Sequence, residues 1–142
     1  MAFLRSMLVG SHDSAVYQGA VYTRWLDLRL SDERIISVFD PTPISSTLSV
    51  NREYDLVVAV GILVPATTEA TNTHCHGRIV VRHWQPEGPF TQVSPSLASS
   101  SWAVLRLPVG DVLISSASIP EASECAIDLQ WDRSRFDLLA VI

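Results

Sequence analysis

Short runs of β-branched and aromatic residues, separated by turn-forming residues, recur along almost the whole chain. Residues 21–30 alternate apolar and polar side chains with the period of two that a strand with one wet face requires. Residues 35–39 resume this pattern after a polar turn, so the two runs predict a β-hairpin. Pro41 and Pro43 end the hairpin because proline cannot donate to a β-ladder.

The run at residues 54–64 is almost continuously apolar. Its Val and Ile content and Gly61 within it favour a buried central strand, bulged at the glycine, over a buried helix. Further strands are predicted at residues 78–84, 102–107, 112–119, 126–131 and 136–142, and a helix of one or two turns at residues 120–125. About eight strands at fairly regular spacing indicate an all-β fold: a small closed or partly open barrel first, and a β-sandwich second.

Two polar stretches interrupt this pattern. Residues 65–77 are rich in threonine, and residues 85–101 are rich in Pro, Ser and Gly, with Phe90, Val93 and Leu97 as apolar anchors. Both are predicted to be long loops, which are often functional or mobile. A length of 142 residues suits one domain, so residues 1–142 are predicted to form a single β domain that contains these loops.

Charge and cysteine content restrict the classes of function. The formal net charge is −5, and all ten basic residues are arginines because lysine does not occur. Chemistry that depends on lysine, such as a Schiff base or a P-loop, is therefore excluded. The apolar start of the chain is too short for a membrane span, and only Cys75 and Cys125 are present. These features predict a soluble, cytoplasmic protein with no membrane partner.

The order of elements in residues 21–60 is strand, polar turn, strand, proline-bearing loop, then a segment with Leu48 and Tyr54 that leads into a long apolar strand. This order resembles the opening of an OB-fold barrel. The resemblance implies a ligand face on which Trp25 stacks on bases while Arg29 and Arg34 contact phosphates, the ligand being a single-stranded nucleic acid. Alternatively, Trp25 covers the barrel or an oligomer interface.

The nucleic-acid hypothesis also has an electrostatic requirement, because affinity for nucleic acid rests largely on phosphate neutralisation. The acidic net charge opposes such binding. The hypothesis therefore requires the arginines of this half of the chain and of the next predicted strand to gather on one face. These are Arg24, Arg29, Arg34, Arg78 and Arg82.

The segment His74, Cys75 and His76 carries the ligand types that zinc prefers. In an extended strand the two histidines point to one face and the cysteine to the other, so a zinc site needs a further ligand from Cys125 or His12. A Cys75 nucleophile would have to be exposed and reactive, with a base from elsewhere in the fold. The alternative to both hypotheses is a pair of surface histidines in a loop.

The sequence contains no Gly-x-Ser-x-Gly elbow, no Gly-x-Gly-x-x-Gly loop and no His-Glu-x-x-His motif. We therefore expect a non-enzymatic binding module with no catalytic residue and no cofactor, zinc being the alternative. Binding of a protein partner, including self-assembly as a homo-oligomer, ranks first. Binding of single-stranded nucleic acid ranks second, and a metal-dependent or cysteine-dependent enzyme ranks third.

Overall fold

The computed structural model describes residues 3–62, 74–86, 88–119, 126–130 and 133–142. Within these ranges most residues lie in strands, which confirms the all-β prediction. In chain order the elements are β1 (Leu4–Tyr17), β2 (Ala20–Arg29), β3 (Ile35–Asp40), a 3-10 turn (Ile44–Thr47), β4 (Arg52–Ile62), β5 (His74–Trp84), β6 (Gln92–Val93), α1 (Ser96–Ser99), β7 (Trp102–Leu107), β8 (Gly110–Ser115), a second 3-10 turn (Ser116–Ser118), β9 (Ala126–Gln130) and β10 (Arg135–Val141).

Five strands close into a barrel in the order β1, β2, β3, β10, β4, with β4 pairing back to β1. The β10 strand runs parallel to β3, and the other neighbours in the barrel are antiparallel. This is a Greek-key order of OB type, so the barrel prediction is confirmed and a sandwich is not formed. One correction concerns the predicted hairpin, which supplies the second and third barrel strands because β1 precedes it.

A second sheet extends from the barrel in the order β8, β7, β5, β9. It joins the barrel where β8 lies parallel to β4, through pairs at Ala59 and Val60. The chain leaves the barrel after β4 and returns to it at β10, so residues 63–134 form an insertion between two barrel strands. The insertion also contributes β6, which pairs with the end of β10.

The β4 strand is buried on both faces. Leu56 and Val58 belong to the main hydrophobic core together with the inward side chains of the barrel. Val57 and Ala59 belong to a second hydrophobic cluster on the opposite face of β4. Burial on both faces explains why the sequence of this strand is continuously apolar instead of alternating.

The strand is also bulged at Gly61, as predicted. Arg135 of β10 pairs with Ile62 and Phe136 pairs with Val60, so Gly61 is the extra residue on β4. A Cβ atom at this position would overlap the carboxylate of Asp137, whose side chain occupies the space beside the glycine. The bulge therefore allows a close approach that a larger residue would block.

Both predicted long loops are shorter in the structure. The β5 strand begins at His74, so residues 74–77 belong to a strand and not to the loop. Cys75 and Gly77 are buried while His76 is exposed, as the alternation along a strand requires. The segment at residues 85–101 contains β6 and α1, and Leu97 of α1 packs into the second cluster. Trp102 holds this segment in place, since its buried indole N–H donates to the Leu97 carbonyl oxygen at 2.9 Å. Residues 65–73, the helix predicted at residues 120–125 and Trp131 lie outside the described residues.

Candidate functional site

A two-stranded ribbon continues beyond the point where the barrel closes. The β1 strand pairs with β4 only up to Leu8, and β2 pairs with β3 only from Arg24 onwards. Residues 11–13 pair with residues 24–26, and residues 15–17 pair with residues 20–23. Among the described residues no third strand joins residues 11–17 or 20–23. We call residues 11–23 the ribbon. Residues 12–20 of it are all exposed, so both faces of its outer part are open to solvent.

The outer part of the ribbon is apolar. Val16, Tyr17 and Tyr22 are 56%, 65% and 54% exposed, respectively. The two strands are joined by the two-residue loop of Gln18 and Gly19, whose φ angles of 50° and 80° are both positive. Two positive φ angles in a two-residue loop match the right-handed twist of the flanking strands, so the loop geometry favours this hairpin.

Arg24 fixes the base of the ribbon. Its side chain is 16% exposed, and its Nε atom lies 3.3 Å from the Asp13 carboxylate on the opposite strand. One Nη atom donates to the Ser11 hydroxyl oxygen at 2.7 Å, and the other donates to the Ser45 hydroxyl oxygen at 3.4 Å. Ser45 in turn donates its hydroxyl to Asp40 at 2.5 Å. A continuous polar network therefore runs from the ribbon into the end of the barrel.

Asp40 is the buried end of this network. It has no solvent exposure, and its carboxylate also accepts hydrogen bonds from the backbone N–H groups of Ile44 at 3.2 Å and Ser45 at 2.8 Å. Such bonds satisfy a buried carboxylate and hold the 3-10 turn against the barrel. Because Arg24 contacts this turn through Ser45, the position of the ribbon is coupled to a rigid part of the fold.

The predicted ligand residues Trp25, Arg29 and Arg34 lie at the β2 and β3 side of the barrel. Trp25 is half-buried, with its ring centroid 5.0 Å from that of Phe39. The Nε atom of Arg29 lies 3.8 Å from Glu33, and that of Arg34 lies 3.7 Å from Asp32. Each predicted phosphate contact thus has a carboxylate beside it. The role of the three residues in ligand binding stays a prediction.

The five arginines that the nucleic-acid hypothesis places together are separated in the structure. Arg24 and Arg29 lie on β2, and Arg34 leads into β3. Arg78 and Arg82 lie on β5 in the second sheet, and four other strands separate β5 from β2. The barrel face and the second sheet therefore carry separate arginine groups.

The segment predicted to bind zinc forms the start of β5. Cys75 is 5% exposed and belongs to the main core, whereas His76 is exposed, as the alternation along a strand requires. The Nδ1 atom of His76 lies 2.6 Å from a carboxylate oxygen of Asp128 on β9. The side chain of His74 lies outside the described residues, and elsewhere in the described chain no three metal-binding side chains gather. The buried position of Cys75 also differs from the exposed thiol that a nucleophile needs.

Sequence reasoning did not find the ribbon. The signal was present, because Val16 and Tyr17 precede a two-residue loop with glycine, and Ala20 and Val21 follow it. A two-residue loop that ends in glycine between apolar residues is a recognised hairpin pattern. The polar residues before it concealed the pattern.

In the described part of the chain, no helix has both the length and the apolar character needed to cross a membrane. The cytoplasmic location stays a prediction. No protein-family model matches this sequence, and searches of curated proteins and of solved structures give no significant match. What the chain does must therefore be inferred from its own side chains.

Proposed function

We propose that this chain is a protein-interaction module that self-associates through the ribbon. The observation that carries the proposal is an apolar two-stranded ribbon, exposed on both faces and anchored at its base by Arg24. A two-stranded hairpin is marginally stable alone in water, and contiguous exposed apolar residues usually mark an interaction surface. Contact with a partner would cover Val16, Tyr17 and Tyr22.

The backbone of the ribbon supports a partner that adds strands. The edge of β1 beyond Leu8 and the edge of β2 before Arg24 face no other strand of the described chain. Unpaired edges of this kind are templates for strand addition, in which main-chain hydrogen bonds supply affinity and side chains supply specificity. Arg24 holds the ribbon in one position, which lowers the entropy that binding must overcome.

A second copy of this chain is the partner that we propose. Every copy presents the same two edges, and a two-fold interface needs only one self-complementary surface. A stable interface usually involves roughly 20–30 residues on each side. The ribbon alone is smaller, so we expect a dimer that dissociates on dilution, in which each ribbon also contacts the barrel of the other copy.

Sedimentation-velocity measurements over a range of protein concentrations test this proposal. The unmodified protein should shift from monomer to dimer as its concentration rises towards about 100 μM, in the range of a weak specific contact. The double variant Val16→Lys and Tyr17→Lys should remain monomeric, because charged lysines on an edge oppose pairing. Ile35→Lys is the matched control, since Ile35 is equally apolar and 58% exposed but lies on β3.

Two results would overturn self-association through the ribbon. One is an unmodified protein that is monomeric at every concentration measured. The other is a dimer that the ribbon variant and the Ile35→Lys control weaken equally, since this would place the interface elsewhere. Circular dichroism of each variant must match that of the unmodified protein for the comparison to hold.

Single-stranded nucleic acid is the second candidate, favoured by the aromatic pair of Trp25 and Phe39 on the barrel. The guanidinium carbon of Arg135 lies 5.7 Å from the Phe39 ring centroid, so a cation is stacked beside the pair. Aromatic and guanidinium planes are typical stacking surfaces for bases. Fluorescence anisotropy of a labelled mixed-sequence oligonucleotide should show saturable binding that weakens with salt and is lost in Trp25→Ala. A flat response at low salt would end this candidate.

A further inference from the structure

A cavity of about 310 Å³ is found at the end of β5, beside the 3-10 turn that follows β8. Among the described residues its walls are formed by Arg82, His83, Ser116 and Ile119. The Ser116 hydroxyl donates to the Arg82 carbonyl oxygen at 3.5 Å, at the limit of hydrogen-bond length, and it can rotate towards a ligand. Three of these four side chains carry hydrogen-bond donors, and those of Arg82 and His83 are exposed to solvent.

A bulge in β5 brings two neighbouring side chains to this one cavity. The pairs Val81 with Val104 and Trp84 with Trp102 leave two residues of β5, the arginine and the histidine, opposite a single residue of β7. In a regular strand, neighbouring side chains point to opposite faces. A bulge changes their direction, and bulges are over-represented beside functional sites. The cavity thus lies at a bulge of β5.

The charge around Arg82 differs from that around most other arginines. Among the described residues, six arginines lie within 4.0 Å of a carboxylate: Arg5, Arg24, Arg29, Arg34, Arg106 and Arg135. No described carboxylate lies within that distance of Arg82, and no described carboxylate lines the cavity. In a protein with a net charge of −5, this cavity carries an arginine and a histidine without an acidic neighbour from the described chain. An anion is its chemical complement.

We propose that this cavity binds a phosphate group held by Arg82, His83 and Ser116. The planar guanidinium matches two phosphate oxygens at once, and the imidazole and the hydroxyl can donate to the remaining oxygens. The volume is larger than inorganic phosphate needs and lies at the lower end of small-molecule sites. Ile119 offers an apolar wall to the rest of a phosphomonoester. This site is separate from the ribbon.

Isothermal titration calorimetry with inorganic phosphate and with adenosine monophosphate tests the proposal. We expect saturable binding to one site, weakened about tenfold or more in Arg82→Gln, because a charge-assisted hydrogen-bond pair is lost. His83→Gln should weaken binding severalfold. Arg78→Gln is the matched control, since Arg78 is exposed on the same strand but does not line the cavity, and it should bind like the unmodified protein.

The outcomes separate the sources of the phosphate. Tighter binding of adenosine monophosphate than of inorganic phosphate would support a phosphomonoester, and equal binding would support free phosphate as the ligand. No saturable heat with either probe would overturn the proposal. Equal weakening in Arg82→Gln and Arg78→Gln would also overturn it, because the attraction would then be a property of the whole strand. If Arg82→Gln does not fold, His83→Gln against the same control decides the question.

Discussion

Replacing Arg24 with methionine removes the cation that joins the ribbon to the barrel and keeps most of the apolar stem. The change abolishes the hydrogen bonds to Ser11 and Ser45 and the contact with Asp13. Hydrogen bonds that involve a charged group contribute about 1.5–3 kcal/mol each. The bond to Ser45 is long, at 3.4 Å, and Asp13 is 48% exposed, so both count for much less than the bond to Ser11.

We therefore expect Arg24→Met to lower the free energy of unfolding by about 2–3 kcal/mol, most of it from the short bond in the largely buried site. For a chain of this size that corresponds to a fall in Tm of roughly 7–10 °C. Urea unfolding followed by circular dichroism measures the free energy. Hydrogen exchange of the ribbon amides provides a local measurement, and it should accelerate more than exchange in the barrel strands.

Arg29→Met is the matched control on the same strand. Arg29 has a 41% exposed side chain, lies 3.8 Å from Glu33, which is 83% exposed, and donates one hydrogen bond to the weakly accepting Met7 sulfur, so its loss should change stability by less than about 0.5 kcal/mol. Equal effects of the two substitutions would refute the assignment of Arg24 as the anchor. Ribbon amides that exchange at the unmodified rate in Arg24→Met would refute it as well.

Three further predictions concern the core and its edge. Gly77→Ala should cost about 1–3 kcal/mol, because the new Cβ would lie 2.6 Å from a Leu105 methyl carbon and 2.9 Å from a Leu107 methyl carbon. In a thermal-unfolding double-mutant cycle, Leu105→Ala should remove part of that cost and leave the part that comes from Leu107. Trp102→Phe should cost about 1–3 kcal/mol in urea unfolding, since the buried Leu97 carbonyl loses its donor. Burial raises the pKa of Asp137 against the opposing pull of the neighbouring guanidinium, so the ionised carboxylate destabilises the fold at neutral pH. This penalty begins to shrink as pH falls below the folded-state pKa and is gone below the unfolded-state pKa. Asp137→Asn should therefore stabilise the protein at neutral pH and have no such effect in acid, as measured by urea midpoints; a stabilisation that does not depend on pH would contradict this.

Strands that bury one face, and strands that bury both faces, could be predicted from the sequence. In β2, Leu26 and Leu28 are buried while their neighbours are partly exposed, which gives the period of two directly. In β4 both faces are buried, which is why its sequence is continuously apolar and could be recognised as a central strand. The bulge at Gly61 could also be predicted, because a glycine inside a strand often marks a bulge or a close approach of another group.

The first strand could not be recognised in the same way. Its inward row is Leu4, Ser6 and Leu8, and the buried serine, which is 3% exposed, breaks the apolar pattern. From His12 onwards the strand has no buried face, so no alternation is required of its side chains. Hydrophobic periodicity reflects burial, so a ribbon that the other described residues leave exposed shows no such periodicity.

The candidate sites depended on pairings that are distant in sequence. Arg24 looked like one of several phosphate-binding arginines, and only the fold places it beside Ser11 and Ser45. The cavity at Arg82 and His83 depends on a register shift between β5 and β7, which no local pattern encodes. The same applies to barrel closure, which joins β10 to β3 and β4 across residues 63–134.

That closure has a consequence for how the chain folds. Residues 52–56 of β4 can pair with β1 early, but the apolar residues 56–60 must wait for β10, which follows the whole second sheet in the chain. Loops of this length slow the formation of contacts, and an unpaired apolar edge favours association with other unfolded chains in the meantime. We expect slow refolding whose yield falls as protein concentration rises, with β4 as the segment that associates.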